Sequence, residues 1–339
     1  MKPDARRKFG RTPLQVTAMG FGAAPIGNFM QPISEATTQA LIDGAWDAGL
    51  RYYDTAPLYG HGLSELRLGQ YLRWRPRDEL VISTKVGRTL EPASRRSIDF
   101  KPWVDGAAFR LKLDYGYDAA MRAFEDSLQR LALERIDIAL IHDCDVFNHG
   151  VELQKVYFKQ AMDGAFKALL KLREQGLVSA IGWGVNEWQV CHAALKQGDV
   201  DCFLLAGRYT LLEQEALDAF LPLCVERNVA VVIGGGFNGG ILATGAKPGA
   251  KYNYAPAPEP ILARVRRIEA VCAAHGVPLP AAALQFVIAH PAVASHIPGV
   301  RTVDQLRQNL AWNSHPIPAD FWAELKAQGL LREDAAVPA

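Results

Sequence analysis

The chain has few cysteines, five among 339 residues, and they are scattered without a Cys-x-x-Cys pair. This pattern excludes a disulfide framework and a cysteine zinc site, and it favours reduced thiols in a cytoplasmic protein. No apolar run reaches the roughly 18 residues that a membrane-spanning helix needs. The polar N-terminus leads into no apolar segment of the kind found in secretory signals. We therefore expect a cytoplasmic protein with no membrane partner.

The chain also lacks an excess of charge of either sign. Lys and Arg number 37 against 36 Asp and Glu, so the formal net charge is only +1. Such a balance gives no support to nucleic acid or an anionic membrane as the main partner. The remaining composition, 49% hydrophobic and 22% charged, is average for a globular protein. We expect a small molecule as the partner, and the oligomeric state, monomer or dimer, stays open.

A short apolar run followed by an amphipathic stretch recurs eight times along the chain. The runs are almost continuously hydrophobic, as parallel strands covered on both faces should be. They are residues 16–21, 50–53, 80–84, 136–141, 178–183, 202–206, 229–233 and 294–297. Eight such units predict an α/β fold of the (β/α)₈ TIM-barrel type. A doubly wound open sheet is the competitor, but it usually has six strands, and no Gly-x-Gly-x-x-Gly follows the first run.

The segments outside these units predict one domain with additions at both ends of the barrel. Residues 7–16 are expected to form a small β-hairpin before the first barrel strand. No linker rich in Pro, Gly or Ser divides the chain, so residues 1–339 are expected to form a single domain. The loops 88–115 and 243–260 are long, and we expect them at the functional mouth. Asp118 is expected to cap the N-terminus of a helix that runs to residue 131.

Ionisable side chains end three consecutive apolar runs. Asp54 ends the second run, Lys85 the third and His142 the fourth, and Tyr59 follows on the first of these loops. Because active sites of such barrels lie at the carboxyl ends of the strands, we expect all four at one mouth. No second imidazole lies near His142 in the sequence, so no metal site is expected.

These four groups predict proton transfer in a carbonyl/alcohol interconversion. A phenol with a pKa near 10 is a poor acid or base at neutral pH, but a nearby cation such as Lys85 lowers that pKa. Asp54 can keep Lys85 charged, and His142 can donate a hydrogen bond to the substrate oxygen, which leaves Tyr59 as the proton carrier. Taken singly, the same residues are also typical of a turn cap, a Schiff-base or surface lysine, a core histidine and a packed aromatic.

The sequence resembles the aldo-keto reductase superfamily over nearly its whole length. The matching segments, in family order, are Met19-Gly20-Phe21-Gly22, Asp54-Thr55-Ala56-x-x-Tyr59-Gly60, Ser83-Thr84-Lys85, Ile141-His142-Asp143 and Ile297-Pro298-Gly299. This resemblance implies that Asp54, Tyr59, Lys85 and His142 form a catalytic tetrad. It also implies that a nicotinamide dinucleotide carries the hydride.

Four features resemble one branch of that superfamily. They are residues 127–131, the His142-Asp143 pair, and residues 206–212 and 234–242. The branch contains D-threo-aldose 1-dehydrogenases (L-fucose dehydrogenases), with L-galactose dehydrogenase and a pyridoxal 4-dehydrogenase nearby. Such enzymes oxidise a sugar or a comparable cyclic hemiacetal to the lactone, so Tyr59 would take the anomeric hydroxyl proton. Four alternatives remain. They are an NADPH-dependent aldehyde or ketone reductase, a pyridoxal 4-dehydrogenase, a Schiff-base lyase using Lys85 and a nicotinamide-binding regulatory subunit.

The resemblance also implies a set of cofactor residues. Asn186 would hold the carboxamide, and a glycine run would let backbone amides approach the pyrophosphate. The whole set is Gly22, Asn186, Gly235, Gly236, Phe237, Asn238, Gly239, Ile297, Gly299, Arg301, Gln305 and Asn309. Asn186 could instead cap a helix that begins at Glu187. Gly234 departs from the family, because many members carry there an aromatic that stacks on the nicotinamide.

Cofactor preference and substrate contacts are expected from the last motif and from the mouth. Gly299 stands where many NADP-preferring members have a lysine, which favours NAD, whereas the guanidinium of Arg301 keeps NADP open. Trp103, Asp143 and Arg208 are the expected substrate contacts.

Overall fold

The chain begins with a small antiparallel hairpin, β1 (Arg6–Lys8) and β2 (Gln15–Thr17). The structure, a computed structural model, describes residues 2–338. The hairpin packs against the amino-terminal end of the last barrel strand, where Arg7 Nη2 donates to the carbonyl of Val293 at 2.9 Å. It contributes the fully buried Phe9 and Val16 to a cluster inside the barrel, and so closes that end.

The strands that follow form the barrel and two mouth hairpins. In chain order they are β3 (Phe21–Gly22), β4 (Tyr52–Asp54), β5 (Val81–Val86), β6 (Arg88–Pro92), β7 (Phe109–Leu113), β8 (Ile138–His142), β9 (Ala180–Val185), β10 (Cys202–Ala206), β11 (Ala230–Gly234), β12 (Lys251–Tyr252), β13 (Ala255–Pro256) and β14 (Val293–His296). Within residues 2–338, eight of them make one parallel sheet in the order β3-β4-β5-β8-β9-β10-β11-β14. Parallel bridges Met19–His296 and Gly22–Gly299 join its two edges. The predicted (β/α)₈ barrel is confirmed.

Helices cover the outside of the sheet. They are α1 (Glu35–Asp47), α2 (Leu63–Leu72), α3 (Tyr117–Leu131), α4 (Val146–Asp163), α5 (Ala165–Glu174), α6 (Trp188–Gln197), α7 (Phe220–Glu226), α8 (Ile241–Thr244), α9 (Glu259–Ala274), α10 (Leu279–Ala289), α11 (Val303–Ser314) and α12 (Ala319–Ala327). The strands are buried on both faces, because one face packs inside the barrel and the other against these helices. This double burial explains the continuous apolar runs.

Two boundaries differ from the sequence-based predictions. The first barrel strand is β3, not residues 16–21, because the apolar run from Val16 spans both the second hairpin strand and the start of the barrel. Asp118 is not the N-cap of α3: the helix begins at Tyr117 with Gly116 as N-cap, and Asp118 lies in the first turn. A carboxylate there still interacts favourably with the positive end of the helix dipole.

Both long loops carry an antiparallel hairpin at the carboxyl end of the barrel. Strands β6 and β7 pair within the first loop, and β12 and β13 pair within the second. Together with the loop after β3, these hairpins build the walls above the ends of the barrel strands.

The five cysteines are all buried and unpaired. Within residues 2–338 no single helix is long and apolar enough to cross a membrane. One pair, residues 259–275 with 279–289, passes that test together on length and composition, but it bends by 100° at its break. The same residues contain no group of three or more His, Cys, Asp or Glu side chains placed to hold a metal ion.

Candidate active site

The structure brings Asp54, Tyr59, Lys85 and His142 together at the carboxyl end of the barrel. Asp54 and His142 are the last residues of β4 and β8, and Lys85 lies next to the end of β5. These three side chains are buried, whereas Tyr59, on the turn after β4, is partly exposed. Neighbouring parallel strands therefore deliver one polar group each to the same place.

Lys85 is the centre of the hydrogen-bond network. Its Nζ donates to Asp54 Oδ2 at 2.8 Å, to the carbonyl of Thr55 at 2.7 Å and to Tyr59 Oη at 3.2 Å. The hydroxyl of Ser83 donates to Asp54 Oδ1 at 2.7 Å. The ammonium group therefore has an acceptor for each of its three hydrogens, and one of these acceptors is the phenol.

Two rings hold the Tyr59 side chain in place. The ring of His142 lies 5.8 Å from that of Tyr59, centroid to centroid, at an interplanar angle of 82°. The indole of Trp103 packs on it at 5.5 Å and 39°. The phenol is thus fixed beside both the imidazole and the ammonium group.

Burial dominates the electrostatics of these groups. It raises the pKa of Tyr59 well above 10, and the carboxylate of Asp54 raises it further. The charge of Arg88 opposes this rise, but in the protein alone the loss of hydration prevails. Burial, followed by the charges of Arg88 and Lys85, lowers the pKa of His142 well below 6.5, so its imidazole is neutral. Burial also raises the pKa of Asp54, against the opposing charge of Lys85.

A cavity of about 510 Å³ lies over the four residues. Lys85, Tyr59 and His142 contribute to its lining. Much of its remaining wall is aromatic, from Phe29, Trp103, Phe147 and Tyr254. Its volume is typical of small-molecule sites. The combination of apolar walls with a few convergent polar groups is also typical of them.

Asp143 and Arg88 form an ion pair on the wall of this cavity. Arg88 Nη2 lies 3.1 Å from Asp143 Oδ2, and the two side chains are only 13% and 11% exposed. Asn186 Nδ2 donates to Asp143 Oδ1 at 3.4 Å, so these three polar side chains are contiguous. Burial raises the pKa of Asp143 to about 6, against the charge of Arg88. Of the expected substrate contacts, Trp103 and Asp143 line the cavity.

Arg208 lies beside a second, narrower groove next to the cavity. This groove runs between the ends of β10 and β11, and its lining includes Asn186, Gly207, Arg208, Gly235, Asn238 and Gly239. The guanidinium of Arg208 lies 5.7 Å from the ring of Phe147. Four of the expected cofactor residues, Asn186 beyond β9 and Gly235, Asn238 and Gly239 beyond β11, therefore meet in one groove.

The glycine run after β11 combines left-handed backbone with open space beside it. Gly235 and Gly239 have φ of +61° and +76°, and a Cβ on Gly236 would meet nothing within 4 Å. Asn238 is used inside the protein: it accepts from the hydroxyl of Thr210 and donates to the carbonyl of Gly207 at 3.1 Å. Phe237 packs near Trp312 with ring centroids 6.4 Å apart.

The remaining expected cofactor residues lie along the line where the barrel closes. A Cβ on Gly22 would lie 2.6 Å from the carbonyl oxygen of Ile297, so close strand packing requires this glycine. Gly299 forms the bridge to Gly22, and Asn309 is buried on α11.

Arg301 and Gln305 lie beside the same line. Gln305 accepts from the backbone N–H of Arg301 at 2.8 Å. Arg301 Nη2 donates to the carbonyl of Phe29. Its Nη1 is buried and has no hydrogen-bond partner within residues 2–338.

A nicotinamide dinucleotide fits these residues. The open backbone at Gly236 suits close approach of a pyrophosphate, and the orphaned Nη1 of Arg301 suits an anionic or hydroxyl-bearing group. Asn186 does not cap α6, because the N-cap of that helix is Glu187. Its amide instead reaches Asp143 and lines both the cavity and the groove.

Sequence reasoning missed several wall residues. Arg88 lies three positions after Lys85 but beyond the turn at Gly87, where φ is +105°. That turn starts a new antiparallel strand and hides Arg88 from a search of strand ends. Phe29 and Tyr254 come from two separate loops and Phe147 from the first turn of α4, and no periodic signal marks them. Trp183 and Tyr209 are both fully buried in the core.

Comparison with known proteins identifies the class. The profile of the aldo/keto reductase family matches residues 18–329. The chain belongs to this family, whose members use nicotinamide cofactors, and it is an oxidoreductase.

Two curated relatives match nearly the whole chain. It is 44% identical to a pyridoxal 4-dehydrogenase from Microbacterium luteolum, over 98% of this chain and 99% of that one. It is 40% identical to a D-threo-aldose 1-dehydrogenase from a Pseudomonas species, over 94% and 95% respectively. The predicted resemblance to this branch is confirmed.

Solved structures agree in fold. The holo form of an aldo-keto reductase from Bacillus halodurans superposes with a TM-score of 0.75 at 24% identity, covering 98% of this chain and 97% of that one. A glycerol dehydrogenase from Gluconobacter oxydans also gives 0.75, at 20% identity and with 99% of both chains covered. At these identities the likeness shows the fold alone.

Proposed function

We propose that the chain is an NAD(P)-dependent dehydrogenase that oxidises the anomeric carbon of a free aldose of the L-fucose, D-arabinose or L-galactose type to the lactone. The observation that carries this proposal is the 3.2 Å contact between Lys85 Nζ and Tyr59 Oη beside His142, under a cavity large enough for a sugar. The D-threo-aldose 1-dehydrogenase relative supports the substrate class.

In this reaction Tyr59 Oη takes the proton from the anomeric hydroxyl. The phenolate form that accepts the proton is stabilised by the hydrogen bond from Lys85 Nζ, which Asp54 holds in place. When bound, the oxidised nicotinamide supplies the hydride acceptor and a positive charge that favours the phenolate of Tyr59. In the reverse direction the protonated phenol donates to the carbonyl oxygen.

His142 orients the substrate oxygen. Its neutral imidazole has one N–H donor, so it can hold a hydroxyl or carbonyl oxygen without adding a charge. Trp103 and the other aromatic walls exclude water from the reacting carbon and offer flat faces to a ring.

Asn186 and the glycine run would hold the cofactor. Asn186 would bind the carboxamide, and the amides around Gly236 the pyrophosphate. We propose NAD in preference to NADP, because Arg301 is turned towards the carbonyl of Phe29 and Gln305 is engaged by the backbone of Arg301. One arm of the guanidinium is then occupied within the protein, which leaves less of it for a 2′-phosphate.

A second candidate is the oxidation of pyridoxal, as in the relative from Microbacterium luteolum. The aromatic wall of the cavity favours it, since Phe29, Trp103, Phe147 and Tyr254 would stack on a flat heteroaromatic ring. The Schiff-base alternative is disfavoured by the same network, because a Schiff base needs a neutral amine and all three hydrogens of the Lys85 ammonium have acceptors.

The test is a substrate panel with NAD and NADP side by side. L-fucose, D-arabinose, L-galactose and pyridoxal are each supplied, and the absorbance of the reduced nicotinamide is followed. We expect turnover of at least one aldose, with a higher kcat/KM for NAD than for NADP. Turnover of pyridoxal alone would replace the first candidate with the second. Turnover of simple aldehydes with NADPH, and of no aldose, would leave an aldehyde reductase.

A further inference from the structure

The ion pair between Arg88 and Asp143 is not needed for the proton chemistry. Neither side chain bonds to Tyr59 or Lys85, yet both line the cavity that contains those residues. The pair is also nearly buried, at 13% and 11% exposure. Burying two charges costs several kcal/mol per ion before their attraction is counted, so such a pair is weak as a device for stability.

The backbone holds Asp143 in an unfavourable conformation beside His142. Its φ is +51°, in the left-handed region that few residues other than glycine, asparagine and aspartate adopt. The conformation is supported from two sides: Asp143 N–H donates to the carbonyl of Gly184 at 2.9 Å, and the hydroxyl of Tyr115 donates to the carbonyls of His142 at 2.7 Å and Asp143 at 3.1 Å. The carboxylate is thereby aimed at the cavity wall.

Arg88 has more donors than the protein uses. Its Nη2 faces Asp143, whereas its Nη1 is buried without a hydrogen-bond partner within residues 2–338. An orphaned charged donor costs free energy unless a ligand satisfies it. This observation points to a bound group beside the pair.

The ion pair between Arg88 and Asp143 lies next to the imidazole that orients the substrate oxygen. Asp143 Oδ2 is 3.5 Å from His142 Nε2, the ring nitrogen that faces it. A substrate oxygen held by His142 therefore places the neighbouring carbon, and whatever it carries, next to Asp143 and Arg88.

Only some groups satisfy both partners. An ionised carboxylate only accepts hydrogen bonds and a guanidinium only donates them, whereas a hydroxyl can do both. A hydroxyl beside the pair can donate to Asp143 and accept from Arg88 at the same time. A hydrogen or a methyl group can do neither.

We propose that Arg88 and Asp143 bind a hydroxyl on the carbon adjacent to the reacting carbon, which makes them specificity-determining residues for 2-hydroxy substrates. For the aldose dehydrogenase this is the 2-hydroxyl of the sugar, so this part of the inference rests on the proposed function. The recognition itself does not depend on ring form, and it works equally for an open 2-hydroxy aldehyde in the direction of reduction.

The test compares substrates that differ only in this hydroxyl. Glycolaldehyde and acetaldehyde are reduced with the reduced cofactor, and the best aldose is compared with its 2-deoxy analogue in the oxidative direction. The variants are Arg88→Leu, Asp143→Asn and the double variant, which removes both charges and leaves no buried ion unpaired. Arg95→Gln is the matched control, because Arg95 lies in the same mouth hairpin but forms an exposed pair with Asp105.

The readout is the ratio of kcat/KM for the hydroxylated substrate to that for its partner. Hydrogen bonds to charged groups contribute about 1.5–3 kcal/mol, so we expect the wild-type ratio to exceed that of the double variant about 10- to 100-fold. The acetaldehyde rate of each variant is the internal reference, because any loss that arises through Asn186 or His142 affects both substrates and cancels in the ratio. Arg95→Gln should keep the wild-type ratio.

Two outcomes would overturn the proposal. One is an unchanged ratio in the double variant, and the other is an equal loss on both substrates with a lowered Tm, which would indicate a structural pair. If no aldose is oxidised but the glycolaldehyde ratio still falls in the double variant, the hydroxyl site stands and the aldose proposal fails. The two hypotheses are therefore tested separately.

Discussion

Buried aspartates lie at both ends of this barrel, and they differ in what their partners touch. At the amino-terminal end, Asp201 accepts from Arg11 Nη2 at 3.0 Å, Arg173 Nη1 at 2.7 Å and the backbone N–H of Ile181 at 3.1 Å. At the carboxyl end, Asp54 accepts from Lys85, and Lys85 also contacts Tyr59, which faces the cavity.

The comparison separates charge used for folding from charge used for chemistry. The two arginines that bind Asp201 contact backbone carbonyls and other surface groups, but no cavity residue. Asp201 therefore connects segments that are distant in the sequence. Lys85, the partner of Asp54, also donates a hydrogen bond to Tyr59, whose hydroxyl can reach a ligand in the cavity. In such barrels, polar residues at the amino-terminal end of the strands generally serve stability, and those at the carboxyl end serve activity.

The largest effect should come from Tyr59→Phe. The change removes the hydroxyl that links Lys85 to the cavity and leaves the Lys85–Asp54 pair intact. We expect kcat to fall about 10³-fold, since general acid–base groups contribute 10²–10⁴. Steady-state kinetics on the best substrate measures this, and the thermal midpoint should be unchanged. A variant that keeps more than about a tenth of the activity would remove Tyr59 from the proton path.

Asp201→Asn should produce the opposite pattern. It leaves Arg173 and Arg11 without their buried carboxylate, and we expect the free energy of unfolding to fall by about 2 kcal/mol. The kcat should be unchanged, because the site lies at the other end of the barrel. Denaturant unfolding measures the loss. Asp199→Asn is the control: Asp199 pairs with the same arginines but is 60% exposed, so its loss should be smaller. A fall in kcat with intact stability would blur the distinction between the ends.

The smallest effect is a dependence of hydroxyl preference on pH. Burial raises the pKa of Asp143 to about 6, against Arg88 and Lys85 and with the help of Asp145. With a pKa of about 6, Asp143 is mostly ionised near neutrality. Because this pKa is above the ordinary value, the side chain takes up its proton already as the pH falls through about 6. We expect the glycolaldehyde-to-acetaldehyde ratio to fall several-fold between about pH 8 and about pH 5, as the charge-assisted bond is lost.

The groups that face the side chain of Asp143 include Arg88 from β6, Lys85 from β5, His142 from β8, Asp145, the amide of Asn186 and the phenols of Tyr59 and Tyr254. His149 of α4 lies against its backbone. Burial and the two cations lower the pKa of His142 well below 6.5, so it stays neutral over most of this range. The matched comparison is Asp143→Asn, whose ratio should be flat with pH. A wild-type ratio that is also flat would show that Asp143 does not touch the hydroxyl.

The barrel and the four central residues could be predicted from the sequence because each has a local signature. A buried parallel strand is continuously apolar, so a single polar residue at its end, such as Asp54 or His142, is conspicuous. The boundary at Val16 was predicted wrongly for the same reason, since an apolar run does not show where a hairpin stops and a barrel strand starts. The rise in the pKa of Tyr59 could not be predicted, because a spacing shows the neighbouring cation but not the loss of water on burial.

The walls of the cavity could not be predicted in this way. Phe29 and Tyr254 lie on two loops and Phe147 at the start of α4, and the approach of these three segments depends on how the whole barrel closes. Arg88 follows a sharp turn that reverses the chain, so its distance from Asp143 is a property of the tertiary fold. Substrate specificity resides in these walls, which is why the sequence points more clearly to the class of reaction than to the substrate.

The burial of all five cysteines has a practical consequence. Burial raises the pKa of each thiol, so none is present as the reactive thiolate near neutrality. In the folded state we therefore expect the five thiols to be unreactive towards alkylating reagents, so that their modification reports unfolding. A cysteine introduced in place of the exposed Arg95 would be the single labelling position, and a fluorophore there would report on the mouth hairpin while substrates enter and leave.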